Sequence, residues 1–111
     1  MIDSTLSARQ ELDEVVRRLV SAYKPQRIYL FGSHARGDET DDSDFDLLVV
    51  VPDSAGGEQQ QSRLAYQVLW GTGTSADVIV KTVTEFNRRK HLQTSLAGTI
   101  LREGELLYEA A

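Results

Sequence analysis

The stretch from Gly32 to Val51, GSHARGDETDDSDFDLLVVV, opens with a Gly-Ser turn and ends in an apolar run whose first residues carry two carboxylates. A strand over Asp44 to Val51 alternates its side chains between two faces, so Asp44 and Asp46 project to one side and Phe45 to the other. Two like charges on one face, about 7 Å apart at a rise of ~3.3 Å per residue, repel unless a cation sits between them. The spacing fits a divalent metal.

Just upstream, Arg27 to Phe31 (RIYLF) is β-branched and aromatic enough for a strand, bounded by Pro25 and Gly32. Gly32 lets the backbone bend, and Ser33 is placed to cap a short helix, His34 to Arg36, that Gly37 stops. Free amides at such a start, with a serine hydroxyl beside them, form a small anion cradle suited to phosphate. The same Gly-Ser also serves as an ordinary turn. Between Asp38 and Asp46 there are six acids in nine residues, which raises the rival of a calcium loop. Aligning Asp42, Asp44 and Asp46 with the first ligands of an EF-hand puts Leu47 where the sharp-turn glycine belongs, and the following LLVVV is strand where a helix is needed. The frame fails. Asp38, Glu39, Asp41 and Asp42 read as a solvated loop, whereas Asp44 and Asp46 stand at the mouth of a strand.

Downstream, DSAGGEQQQ reads as a surface loop, and Gln59 to Trp70 as an amphipathic helix with Leu64, Ala65, Val68 and Leu69 inward and Trp70 in the core. Gly71, Thr72 and Gly73 close it; this Gly-x-Gly follows a helix, where a dinucleotide fingerprint follows a strand. Ser75 to Lys81 forms a third strand with Asp77, Ile79 and Lys81 on one face. If it lies beside Asp44 to Val51, Asp77 joins the carboxylate pair; otherwise Asp77 caps the strand end or pairs with an arginine. Thr84 caps a helix through Lys90, whose basic last turn, Arg88, Arg89 and Lys90, suits the helix dipole. A final helix, Thr94 to Glu103, stops at Gly104, and Glu105 to Tyr108 forms an edge strand. At the other end, a capping box from Ser7 opens a helix with Leu12, Val15, Val16, Leu19, Val20 and Tyr23 at helical spacing. His34 and His91 read as polar surface residues. The order of elements is that of an α/β domain, one unit over residues 1–111.

A chain of 111 residues buries roughly 65% of its unfolded surface and supports one core. Its net charge of -5 argues against a nucleic-acid binder, since phosphate backbones demand a basic face. With no cysteine there is neither disulfide nor thiolate metal site, so metal binding must use oxygen or His. The polar, acidic start lacks a signal peptide's basic and apolar regions. No stretch approaches the ~20 apolar residues of a membrane span. A soluble, cytoplasmic protein is expected.

Gly32, Ser33, ten residues, then Asp44, Phe45 and Asp46 resembles the signature of the DNA polymerase beta-like nucleotidyltransferases. The fuller GSHARG followed by SDFDLLV is similar to their minimal prokaryotic branch, and the likeness extends to ADVIV around Asp77 and to the closing LREGELLYE. What this resemblance implies is a small mixed sheet backed by helices, with ATP held at Gly32 and Ser33. Asp44 and Asp46 would bind two Mg2+ ions and Asp77 would complete the metal set and take a proton. Arg36 matches the motif as well, for phosphate binding or, as the preferred reading, a salt bridge that neutralises the acidic loop. The resemblance further implies an antitoxin that transfers AMP to a tyrosine of a HEPN-type RNase toxin, a second chain that presents the hydroxyl. Two alternatives stand beside it: a protein that silences its partner by occlusion without turnover, and a metal-binding domain of unrelated chemistry.

Overall fold

The computed structural model describes residues 8–40, 42–92 and 94–111. The capping box expected at Ser7 and the loop position of Asp41 lie outside the described residues. The elements run α1 (Ala8–Tyr23), β1 (Arg27–Phe31), α2 (Gly32–Arg36), β2 (Phe45–Val51), a 3-10 turn (Glu58–Gln60), α3 (Arg63–Leu69), β3 (Ala76–Thr82), α4 (Val83–Arg89), α5 (Leu96–Glu103) and β4 (Glu105–Glu109). The four strands form one mixed sheet in the order β3-β2-β1-β4. Strand β1 is antiparallel to both β2 and β4, while β2 and β3 are parallel. A parallel pair needs a long crossover, which the segment carrying α3 supplies.

Both faces of the sheet are covered. Leu12, Val15, Leu19 and Tyr23 of α1 and Ala65 and Leu69 of α3 pack on Ile28, Leu30, Leu47, Val49 and Val78. Phe86 of α4 and Ala97 and Ile100 of α5 pack on Tyr29, Leu48 and Val50 from the other side. This double cover explains why LLVVV shows no polar alternation: β2 is buried on both faces from Leu47 to Val51, as an interior strand of a helix-flanked sheet must be. Its one polar side chain, that of Asp46, sits where the cover ends.

Several local expectations shift. Strand β2 begins at Phe45, so Asp44 stands just before it. The helix expected over Gln59 to Trp70 divides at Gln61, which is extended and whose carbonyl accepts the Tyr23 hydroxyl at 2.6 Å. The same hydroxyl accepts from Ala65 N at 2.9 Å, so α1 caps the third amide of α3 in place of Ser62, whose side chain makes no cap bond. Helix α4 starts earlier than expected: Thr82, not Thr84, is its N-cap, in a capping box with Glu85. Thr84 instead gives its backbone N–H and hydroxyl to the Asp53 carboxylate. Helix α5 starts later, at Leu96, with Ser95 as its cap. Trp70 is not core. It follows the last residue of α3 with a non-helical backbone, which carries its ring off the inward stripe and leaves it 87% exposed.

Candidate active site

The ends of three strands meet at one corner of the sheet. Phe31, the last residue of β1, is the register partner of Asp46, and Asp46 is in turn the partner of Asp77 in the parallel ladder. The chain leaves β1 through Gly32, at φ +74, and a Cβ built there would stand 2.1 Å from Asp46 Oδ2. The Asp46 carboxylate therefore lies against the glycine backbone, an approach that any side chain at position 32 would block. Asp44, exposed at the entrance to β2, adds a third charge to this corner.

Electrostatics follow from that crowding. Burial pushes the Asp46 carboxyl above its ordinary value, and the charges of Asp77 and Asp44 push it further, with His34 and Arg36 acting in the opposite direction. Asp77 Oδ1 accepts a hydrogen bond from the Tyr66 hydroxyl at 3.2 Å. Burial and that carboxylate raise the Tyr66 phenol. Among the described residues no three His, Asp or Glu side chains form a preassembled metal cage; register brings two carboxylates together and the third flanks them.

The other expected residues are placed as follows. Ser33 lies in α2 and its carbonyl accepts from Gly37 N and Asp38 N. It is not the cap, because α2 already includes Gly32 and the cap position falls on Phe31. Gly37, at φ 82, ends the helix as expected. Arg36 Nε donates to Asp38 Oδ2 at 3.2 Å across the exposed loop. His34 is half-buried rather than a free surface group. Its ring packs on Phe45 with centroids 4.3 Å apart, and its Nε2 lies 3.1 Å from Ser43 O, which braces the acidic loop against β2.

Two clefts of about 640 Å3 each open at this corner with Asp44 in both walls. One is lined by His34, Thr40, Ser43 and Gly73. The other adds Asp77, Tyr66 and Trp70. Tyr66 goes unmarked in the sequence and Trp70 is expected there in the core, although a signal for both is present. On the helix expected over Gln59 to Trp70 they are spaced i, i+4 and so share a face, one position round from the inward Ala65 and Leu69.

The arrangement can be set beside known proteins. The nucleotidyltransferase domain family model matches residues 11–107. A protein of Methanocaldococcus jannaschii, provisionally named a protein adenylyltransferase, is 32% identical over 105 residues, spanning 93% of this chain and 100% of that protein. The fold is shared with a solved toxin-antitoxin with AMP-PNP, at 21% identity and a TM-score of 0.59 over 88% of this chain and 73% of that one. It is shared too with a tri-AMPylated Shewanella oneidensis HEPN toxin in complex with MNT antitoxin, at 19% identity and a TM-score of 0.57 over 92% and 72%. At these identities the structural likeness is one of fold. Among the described residues no helix is long and apolar enough to cross a membrane.

Proposed function

This chain belongs to the nucleotidyltransferase domain family, and from that premise we propose that it is an antitoxin that transfers AMP from ATP to a tyrosine of a HEPN-type toxin, with Mg2+ as cofactor. The observation that carries the reading is the pairing of Asp46 with Asp77 across the ladder while Asp46 lies against Gly32. It sets two carboxylates beside the turn where a triphosphate would be held. The name of the archaeal relative supports protein as the acceptor, and the AMP-PNP and tri-AMPylated complexes support the nucleotide and the class of partner.

The residues fit a magnesium site. Asp46 is held partly out of water beside like charges, and magnesium needs few protein oxygens because it keeps several waters. Asp44, Asp46 and Asp77 would hold it. When bound, magnesium neutralises the triphosphate and lowers the pKa of the attacking hydroxyl. The protein's own part is positional. Gly32 and Ser33 offer backbone and hydroxyl donors to phosphate oxygens, while Arg36, tied to Asp38, steadies the acidic loop and lends positive charge to the corner. Asp77 receives the acceptor's proton as the hydroxyl oxygen bonds to the α-phosphorus and the bond to the leaving pyrophosphate breaks.

The test is to incubate the protein with ATP, Mg2+ and a candidate HEPN-type toxin, and to weigh both chains. Nucleotidyl mass on a tyrosine of the partner, lost with Asp44→Asn, is the expected outcome. No transfer to any acceptor overturns the reading. If Asp44→Asn still protects cells from the partner, occlusion rather than turnover is the protective mechanism.

A further inference from the structure

We propose that Tyr66 is itself an acceptor of the transferred nucleotidyl group, a modification site in cis. The proposal rests on the transferase reading above and follows from what that reading demands of any acceptor: a phenol hydroxyl that gives its hydrogen bond to Asp77 and faces the cleft. Tyr66 meets both demands. Its hydroxyl donates to Asp77 Oδ1 at 3.2 Å, and its ring, 50% exposed, forms part of the cleft wall with Asp44 and Asp77.

The chain's other three tyrosines do not. Tyr23 is buried, with its hydroxyl engaged by Gln61 O and Ala65 N. Tyr29 is buried against Phe86 and its hydroxyl accepts from Arg27. Tyr108 stands on β4, at the opposite edge of the sheet from β3. The corner thus singles out one tyrosine of four.

In the cis step the Tyr66 oxygen bonds to the α-phosphorus of a nucleoside triphosphate, the bond from that phosphorus to the bridging oxygen breaks, and pyrophosphate leaves. The phenolic proton passes to Asp77. The product is a phosphodiester on Tyr66, which removes the hydroxyl donor from Asp77 and fills the cleft beside the exposed Trp70 ring, a face on which a base can stack. A modified copy can no longer admit a partner's hydroxyl at Asp77. The reaction is accordingly limited to one group per chain and switches the enzyme off towards other acceptors.

The experiment is to incubate the purified protein alone with ATP and Mg2+, measure its intact mass, and locate any adduct by tandem mass spectrometry. The expected result is one nucleotidyl group on Tyr66, absent from Tyr66→Phe and Asp77→Asn and retained by Tyr108→Phe, with Tyr66→Phe melting like the parent by circular dichroism. An adduct on any other residue overturns the proposal. So does an unmodified chain in a preparation that still transfers AMP to a HEPN-type toxin, an outcome that leaves the transferase reading standing. Absence of transfer to either acceptor overturns both.

Discussion

Asp46 and Asp77 face each other as register partners on neighbouring parallel strands, and the carboxylate of Asp46 is pressed against the backbone of Gly32. Parallel strands that start at the same level bring their first side chains together, so two acids far apart in the chain become neighbours at one corner. The arrangement stores repulsion in the metal-free protein and offers it to a cation.

Replacing Asp46 by Asn should raise the melting temperature of the metal-free protein while abolishing nucleotidyl transfer. Burial and the neighbouring acids hold the Asp46 carboxyl above its ordinary value, so the charged form opposes folding at neutral pH and the neutral amide does not. The gain is below about 1 kcal/mol once solvent screening is allowed for. Melting in chelator, with transfer measured in parallel, checks it; a lower melting point in Asp46→Asn contradicts the crowding.

Gly32→Ala should fold and lose activity. The left-handed backbone at φ +74 costs a non-glycine residue about 1–2 kcal/mol. The new Cβ meets the Asp46 side chain from Oδ2 back to its Cβ, so the carboxylate must swing aside. Displacing the Asp46 carboxylate, which the proposed function gives to the metal, by about 1 Å is enough to cost on the order of 100-fold in rate. Thermal denaturation and initial rates read the two effects separately.

Acid should weaken the junction between α4 and the loop after β2. Asp53 accepts from the hydroxyl and N–H of Thr84, which lowers its carboxyl below the ordinary value. A depressed carboxyl contributes stability above its unfolded value, and that stability is lost as pH falls through the folded one. The difference in melting temperature between the parent and Asp53→Ala should thus be present at pH 7 and shrink below about pH 4.

Tyr23→Phe should destabilise by about 1–2 kcal/mol, the cost of leaving a buried polar group without its partner. The lost hydroxyl joins Gln61 O to Ala65 N, and so ties the end of α1 to the start of α3. A lower urea midpoint at unchanged slope is the expected signature.

Much of this could be seen in the chain before folding. The run LLVVV announced a strand, whose burial on both faces came only with the helix cover, and the i, i+3, i+4 stripe of α1 announced which of its faces the sheet would take. The glycine-serine and Asp-x-Asp spacing pointed to the corner where Gly32, Asp46 and Asp77 now meet. Cap positions were less legible. At α4 both Thr82 and Thr84 have the chemistry of a cap, and the choice fell to Thr82 because Glu85 completes its box while Asp53 claims Thr84.

Tyr66, Trp70 and His34 mark the boundary. Local pattern specifies which residues prefer a helix, a strand or a turn, because periodicity and turn chemistry act over a few residues along the chain. Those preferences were enough for the order of the elements and for the pair of acids at the mouth of β2. Whether Asp77 stands opposite Asp46, whether a tyrosine from α3 reaches its carboxylate, and whether a tryptophan ends in the core or at the rim of a cleft depend on strand register and on where a helix stops. Contacts between segments remote in sequence set both, as when the Tyr23 hydroxyl divides a helix at Gln61, and such pairings appear only when the chain closes on itself.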